Sequence, residues 1–486
     1  MIVHTAKAAG ACVAFAVLAL AVALAAAPAA AADADTAPAP DTTAAAAADD
    51  ATAPGPDSHW PALVGAQLTA VRQTQTALRS PYAGRYSLFP GGDTQPTETY
   101  GIYLGWSPLA AAQFYLDLEK FNGAGVSNNT GLGSLTNGDS LRQGNNGLRK
   151  RFYIARRYLR LMRPLGSAVG RVAAAQEQVA GSEATTRLEL KVGTLAVNDD
   201  FDRNRYAGGT RNQFMSGSLW QQTAWDFAAD TRGYSDGVVL GYVSPAWSLR
   251  YGAFLMPKLA NGQPLVESPH RARGDNLELT LSPWAGGTTL RLLAYRNIAS
   301  MGDYREALAI AALAGRTPDI VADDRDGRRK YGYALNLEQP LADEGETGLF
   351  ARLGWNDGHT ESFAFAEVDR QLSLGAQLAG AHWKRSDDRL GAGLVVAGVS
   401  AGHRSYLAAG GSGFVLGDGR LNYGKERVLE IYYRVQLPWP FAATRSEHFK
   451  AVRVQLSPDL QYVRNPGYNR DRGPVRFWAL RFHVEY

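Results

Sequence analysis

The last twelve residues, VRFWALRFHVEY (Val475–Tyr486), constrain the fold more than any other stretch. Successive side chains of a strand point to opposite faces. Arg476, Trp478, Leu480, Phe482, Val484 and Tyr486 therefore share one face, and Val475, Phe477, Ala479, Arg481, His483 and Glu485 the other. The first face is almost wholly apolar, while the second turns polar toward its end. A soluble sheet resting on a core gives a similar pattern. Here, however, the strand runs to the final residue and stops on an aromatic, where chain ends usually fray into polar residues. A transmembrane β-barrel must pair every strand in order to close, and it rings each interface with aromatics.

The same period of two continues through the chain from about Trp60. Leu429, Ile431, Tyr433, Val435, Leu437 and Trp439 alternate with Glu430, Tyr432, Arg434 and Gln436. Val454, Leu456, Leu460 and Tyr462 oppose Arg453, Gln455, Ser457, Asp459 and Gln461, and Tyr331, Tyr333, Leu335 and Leu337 oppose Lys330, Asn336 and Glu338. Weaker versions recur at 98–106, 112–121, 150–162, 186–195, 237–244, 247–257, 275–283, 288–297, 347–355, 370–383 and 388–399. With a first strand near 61–76, these predict roughly sixteen strands, an even number that suits a porin-sized barrel. The connections alternate as well. Short links at Ser107–Ala111, Pro245-Ala246, Ala285–Gly287, Ala342–Glu346 and Lys384–Asp387 fall between long ones near 122–149, 196–235, 258–274, 298–328, 357–369 and 400–426. Short periplasmic turns and long external loops describe an all-β, antiparallel transmembrane barrel. A helix is expected only at Tyr304–Ala314, inside one loop.

The compartment follows from the N-terminus. Lys7, an apolar run over 8–27 and the small residues Pro28-Ala29-Ala30-Ala31-Ala32 read as a signal peptide, residues 1–32. Cys12, the only cysteine, precedes most of the apolar run, which argues against a lipid-anchoring cysteine, and the mature chain then has no disulfide or thiolate. Residues 33–57 are Ala, Asp, Thr and Pro with little to bury, and read as a disordered periplasmic extension ahead of a barrel over 58–486. No stretch after the signal is apolar for long enough to form a membrane helix.

A barrel of this size holds water, so the question becomes what narrows it. The loop near 122–149 is rich in Gly and Asn. The loop near 196–235 carries Asp199, Asp200, Asp202, Arg203, Arg205, Arg211, Trp220, Trp225, Asp226, Phe227, Asp230 and Arg232. Carboxylates and guanidinium groups bond hydroxyls, and aromatic faces stack on sugar rings; the same charges could equally pin the loop to the wall. In RKRFYIARRYLRLM, placing Ala155, Leu159 and Leu161 toward lipid puts Arg156, Tyr158 and Arg160 in the lumen and Arg157 on the lipid side.

Seven stretches in order resemble the carbohydrate-selective porins of the OprB type. They are RSPYAGRYSL (Arg79–Leu88), VNDDFDRNRYA (Val197–Ala207), WDFAADTRGYSDG (Trp225–Gly237), LRYGAFLMP (Leu249–Pro257), LFARLGWNDGHTESFAFAEVDRQLSLG (Leu349–Gly375), HRSYLAAGGSGFVLGDGRLNYGKE (His403–Glu426) and NPGYNRDRGPV (Asn465–Val475). The resemblance implies a monomeric sixteen-stranded barrel in the outer membrane, constricted by its second and third external loops, with arginines and an acid holding the sugar. On that resemblance Arg156, with Arg160 beside it, is the wall arginine, and Asp200 or Asp202 with Arg205 is the loop cluster. Aspartate stands where the family suggests glutamate. The terminal strand similarly resembles the signal by which the barrel assembly machinery engages outer-membrane proteins.

Other classes find little support. The eight histidines show no i, i+4 zinc pair, no G-x-S-x-G is present, and GGSGF at Gly410–Phe414 lacks a phosphate-cradling helix. A membrane hydrolase would have to assemble His403 and Asp418 with a serine in space. The charges are mixed, with a net of +4, rather than clustered for nucleic acid. No enzyme, cofactor or metal is expected. The sequence thus points to an outer-membrane porin for small carbohydrates such as glucose, with an anion-selective or a nonspecific pore as the alternatives.

Overall fold

The computed structural model describes residues 62–140, 148, 151–438 and 452–486. The expected signal peptide and extension, and part of the loop near 122–149 (the second long loop, after the link 76–92 at the same end of the barrel), lie outside them. Eighteen strands follow in chain order: β1 (Leu63–Gln75), β2 (Asp93–Leu109), β3 (Ala112–Asn122), β4 (Tyr153–Pro164), β5 (Val169–Val172), β6 (Gly181–Ala184), β7 (Arg187–Leu195), β8 (Ser235–Val243), β9 (Trp247–Leu255), β10 (Arg273–Leu281), β11 (Thr289–Met301), β12 (Arg325–Ala342), β13 (Thr347–Asn356), β14 (Arg370–Ala379), β15 (Arg389–Gly398), β16 (Glu426–Leu437), β17 (Arg453–Arg464) and β18 (Val475–Glu485). All except β5 and β6 form one closed antiparallel barrel of sixteen strands, in which every neighbour but one is the next barrel strand along the chain. Each predicted strand is present, with ends displaced by a few residues. The helix at Tyr304–Ala314 is also present, capped by the Asp303 side chain, which accepts from the amides of Arg305 and Glu306. Two further loop helices, Gly217–Trp220 and Ala401–Ala408, are not expected from the sequence.

The seam pairs β1 with β18, from Gln67 opposite Glu485 to Gln75 opposite Phe477. It extends to the last residue: the Tyr486 amide donates to the Ala66 carbonyl at 2.9 Å, and the Ala66 amide to the Tyr486 carbonyl at 3.0 Å. Trp478, Leu480, Phe482 and Tyr486 are exposed on the outer face, while Arg481 and His483 are buried inside, as the period of two predicts. The outward face continues around the barrel through Phe114, Leu240, Tyr251, Leu353, Leu394 and Ile431, all exposed. Such an apolar band is what a bilayer requires of a barrel.

Strand β4 corrects one detail of the sequence reading. Arg156, Tyr158 and Arg160 do face inward, and Arg157, Leu159 and Leu161 outward. Ala155, expected toward lipid, is instead fully buried, because the register slips between Asp117 and Leu118: Asp117 pairs with Arg156 but Leu118 with Ile154. Ala155 is the extra residue of a bulge, and Ile154 takes its outward place.

The link between β16 and β17, residues 438–452, lies mostly outside the described residues; elsewhere the alternation of short and long links holds with one marked exception. Between β4 and β7, at the end of the barrel where the turns are short, residues 165–186 form the hairpin β5–β6. This hairpin folds back into the barrel mouth. Val179 is buried, its amide donates to the Tyr115 hydroxyl at 3.2 Å, and Glu183 reaches Arg160.

Candidate functional site

The third long loop, residues 196–234, folds into the lumen, and the inward face of β13 holds it there. That face reads Gly348, Phe350, Arg352, Gly354, Asn356, and each member meets the loop. A Cβ on Gly348 would collide with the Tyr206 ring, and one on Gly354 with the Gln222 amide; only glycine leaves room for so close an approach. Phe214 sits edge-on against Phe350 and Tyr432, with ring centroids 5.4 and 4.9 Å away. Asn356 donates to the Ala224 carbonyl at 3.1 Å. Arg352, wholly buried, donates to the Asp202 carboxylate (3.1 Å) and to the carbonyls of Leu219 (2.7 Å), Ala207 (2.8 Å) and Asp202 (3.1 Å). The loop then continues to the short-turn end, where Arg205 pairs with Glu346 at 3.1 Å and the Tyr206 hydroxyl donates to the Gly345 carbonyl at 2.8 Å.

The second long loop enters beside it. The Thr136 carbonyl accepts from Gln73 and Gln461, on β1 and β17, and Asn137 donates to Thr97 at 3.0 Å. Both loops thus fold into the barrel, as the resemblance implies.

Two arginines stand where these pieces converge. Arg156 forms a two-point pair with Asp199, at 2.7 and 2.9 Å, and its remaining nitrogen lies 3.2 Å from Asp117 and 3.3 Å from Glu177 at the hairpin tip. Its guanidinium carbon sits 5.2 Å from the centre of the Tyr234 ring. Arg211, from the third loop, lies 3.0 Å from Glu119 and 2.9 Å from Asp139 of the second loop, and 5.8 Å from the Phe121 ring centre. Tyr234 donates to Glu119 and joins the two groups. Burial pushes the Glu177 carboxyl well above the ordinary range, against the pull of Arg156. Burial also raises Asp230, at the end of the third loop, to about 6, although the amides of Arg232 and Tyr234 donate to it.

The five residues selected from sequence fall into two groups. Arg156 and Arg160 share the inner wall of β4, where Arg160 is bonded to Gln113, Glu183 and Glu189, and Asp200 lies nearby on Lys191 of β7 at 2.7 Å. Asp202 and Arg205 lie on the β12–β13 wall instead: Asp202 accepts from Asn336, Arg352 and the Gln222 amide. Their bonds pin the loop. Trp225 and Phe227 are buried and packed on Phe201 and Phe365, and Asp226 is tied to Lys330 and the Phe363 amide. The sequence reading missed Asp117 and Glu119, although the period of two in β3 places both inward. It also missed Glu177, which belongs to a link with no strong pattern.

His403 and Asp418 have separate partners. His403 lies 3.3 Å from Asp369 and stacks on Tyr304, whereas Asp418 binds Ser87 and Arg472. Among the described residues no group of acids and histidines could hold a metal.

A family model described as carbohydrate-selective porin, OprB family, matches residues 102–486. Among solved structures, the high-pH form of Pseudomonas putida OprB superposes with a TM-score of 0.62 at 15% identity, over 87% of this chain and 94% of that one. Its low-pH form gives 0.41 at 12% identity, covering 87% and 92%. A loop-deletion form of OmpT, an outer-membrane protein of Vibrio cholerae, gives 0.41 at 10% identity, covering 87% and 98%. At these identities the first likeness speaks for the barrel alone. No curated protein matches the chain.

Proposed function

The chain belongs to the OprB family of carbohydrate-selective porins and resides in the bacterial outer membrane, and from that premise we propose that it passes small neutral sugars, monosaccharides such as glucose, passively into the periplasm. The supporting observation is the charge pattern at the meeting point of wall, loops and hairpin. Five carboxylates (Asp117, Glu119, Asp139, Glu177 and Asp199) lie within ion-pair distance of two guanidinium groups, Arg156 and Arg211. An arginine-dominated constriction would draw anions in. One with more acids than arginines disfavours them, while still offering paired donors and acceptors that sugar hydroxyls can exchange with. Tyr234 and Phe121 supply ring faces beside both arginines. Such contacts must be strong enough to recruit a sugar and weak enough to release it. In this reading the protein acts as a monomer with its long loops outside, and the chain carries out no covalent chemistry.

Arg156 carries the test. Arg156→Ala removes several charge-assisted hydrogen bonds, each worth roughly 1.5–3 kcal/mol. Liposome swelling should then show glucose flux falling about tenfold, with glycerol flux changed much less. Equal losses for the two solutes would remove Arg156 from selectivity, and a single-channel current blocked by phosphate but not by sugars would overturn the carbohydrate reading.

A further inference from the structure

At the long-loop end, outside the lumen, lies a cavity of about 440 Å³ lined by Arg79, Arg427, Arg464, Arg470, Arg472 and Asn465. Arg427 and Arg464 are direct cross-strand partners on β16 and β17. Both are exposed on the outward face, as is Arg476 opposite Tyr462 on β18. Like charges placed opposite each other repel, and among the described residues no carboxylate lies within ion-pair distance of Arg79, Arg427, Arg464, Arg470 or Arg476. Arg472 is the exception, paired with Asp418 at 3.1 Å and donating to the carbonyls of Tyr82 and Leu88. The neighbouring acid, Asp471, is engaged by Asn422 and Tyr82, each at 2.9 Å.

We propose that this cluster binds the phosphate groups of a phosphorylated glycolipid in the outer leaflet. Guanidinium groups hold phosphate through paired hydrogen bonds, and several arginines around one cavity suit a headgroup bearing more than one phosphate. The register supplies the argument for a lipid rather than a free anion. One step from the arginines on the same outward face, Leu429 pairs with Tyr462; one step further Leu460 stands between Ile431 and Trp478. A ligand with its anion at the rim can therefore lay its acyl chains along an apolar wall. The proposal rests on the reading that the long loops face outward, and it is independent of which sugar the pore selects.

The test uses the detergent-purified full-length porin and native mass spectrometry with four probes: bisphosphorylated lipid A, its dephosphorylated form, phosphatidylglycerol and inorganic phosphate. Bisphosphorylated lipid A should bind most tightly. Its affinity should fall at least roughly tenfold in the Arg427→Gln/Arg464→Gln pair and much less in the Arg427→Lys/Arg464→Lys pair. Heat-modifiable gel mobility and unchanged glucose flux would show that both variants are folded. Equal binding of the dephosphorylated lipid, of phosphatidylglycerol or of free phosphate would overturn the proposal, as would a Gln pair that binds like the parent. Should the Gln pair fail to fold, salt dependence of lipid A binding by the parent decides: affinity must fall steeply with ionic strength, and a flat response would refute the site.

Discussion

Replacing Arg352 with methionine should loosen the third long loop without opening the barrel. The strand ladder of β13 with β12 and β14 is main-chain bonding, and the substitution leaves it intact. What is lost is a fully buried guanidinium that ties Asp202, Ala207 and Leu219 to the wall. Removing one partner of a buried ion pair costs roughly 3–5 kcal/mol, because the remaining charge is stranded. Asp202 keeps Asn336 and the Gln222 amide, which argues for the lower end of that range. At about 1.4 kcal/mol per tenfold, the open state of the loop should gain a hundredfold or more in population. Hydrogen exchange of amides over 202–222 should accelerate accordingly, while those of β13 stay protected. Single-channel records should show a noisier, larger current and weaker discrimination between glucose and larger sugars. Unchanged exchange across the loop would refute the idea that Arg352 is its anchor. A collapse of barrel assembly would show that the wall itself depends on it.

Deleting residues 174–179 from the tip of the hairpin would remove Glu177 and Val179 from the mouth, and single-channel conductance should rise while heat-modifiable mobility is kept. Asp230 links the loop to pH: its carboxyl is raised in the folded loop to about 6, so the protonated form is favoured there. Its stabilisation is complete below the ordinary aspartate range near 4 and is lost as pH rises through about 6, so proteolysis of the loop should be slower at pH 4.5 than at pH 7. Asp230→Asn, which keeps an oxygen for the Arg232 and Tyr234 amides, should flatten that profile. Deleting Tyr486 removes two seam hydrogen bonds and an outward aromatic, and should lower the yield of folded protein in the outer membrane while leaving the glucose-to-glycerol flux ratio of the assembled fraction unchanged.

The strands were legible because a bilayer on one side and water on the other force polarity to alternate at every second residue, and β16 and β18 show this without ambiguity. Ala155 was misplaced because a bulge adds a residue without altering composition, so the period breaks where no residue type marks it. The site was read less completely. Arg156 could be found from strand parity alone, and Asp117 and Glu119 would have followed from the same rule applied to β3. Asp202 and Arg205 carry chemistry suited to sugar, but a charge pattern does not say whether its partner is solute or wall; that depends on where the loop lands, and Gly348 and Gly354 decide it. Glu177 reaches Arg156 from the opposite end of the barrel, on a link whose short strands have no apolar face to announce them.

The seam between β1 and β18 also determines when the barrel can exist. All other barrel pairings join strands adjacent in the sequence of the sheet, and most could form as local hairpins at little entropic cost. The seam brings together residues such as Thr69 and His483, 414 positions apart. Contacts of such separation form late, since the closure entropy is spent before they contribute. Until then β1 and β18 are two open edges, each presenting a row of unpaired amides and carbonyls that hydrocarbon cannot satisfy. Because the closing partner is the last of the sixteen barrel strands in chain order, the ring cannot shut before all the others have been made. The nascent sheet must therefore be kept out of the bilayer core, or have both edges covered, until β18 pairs with β1.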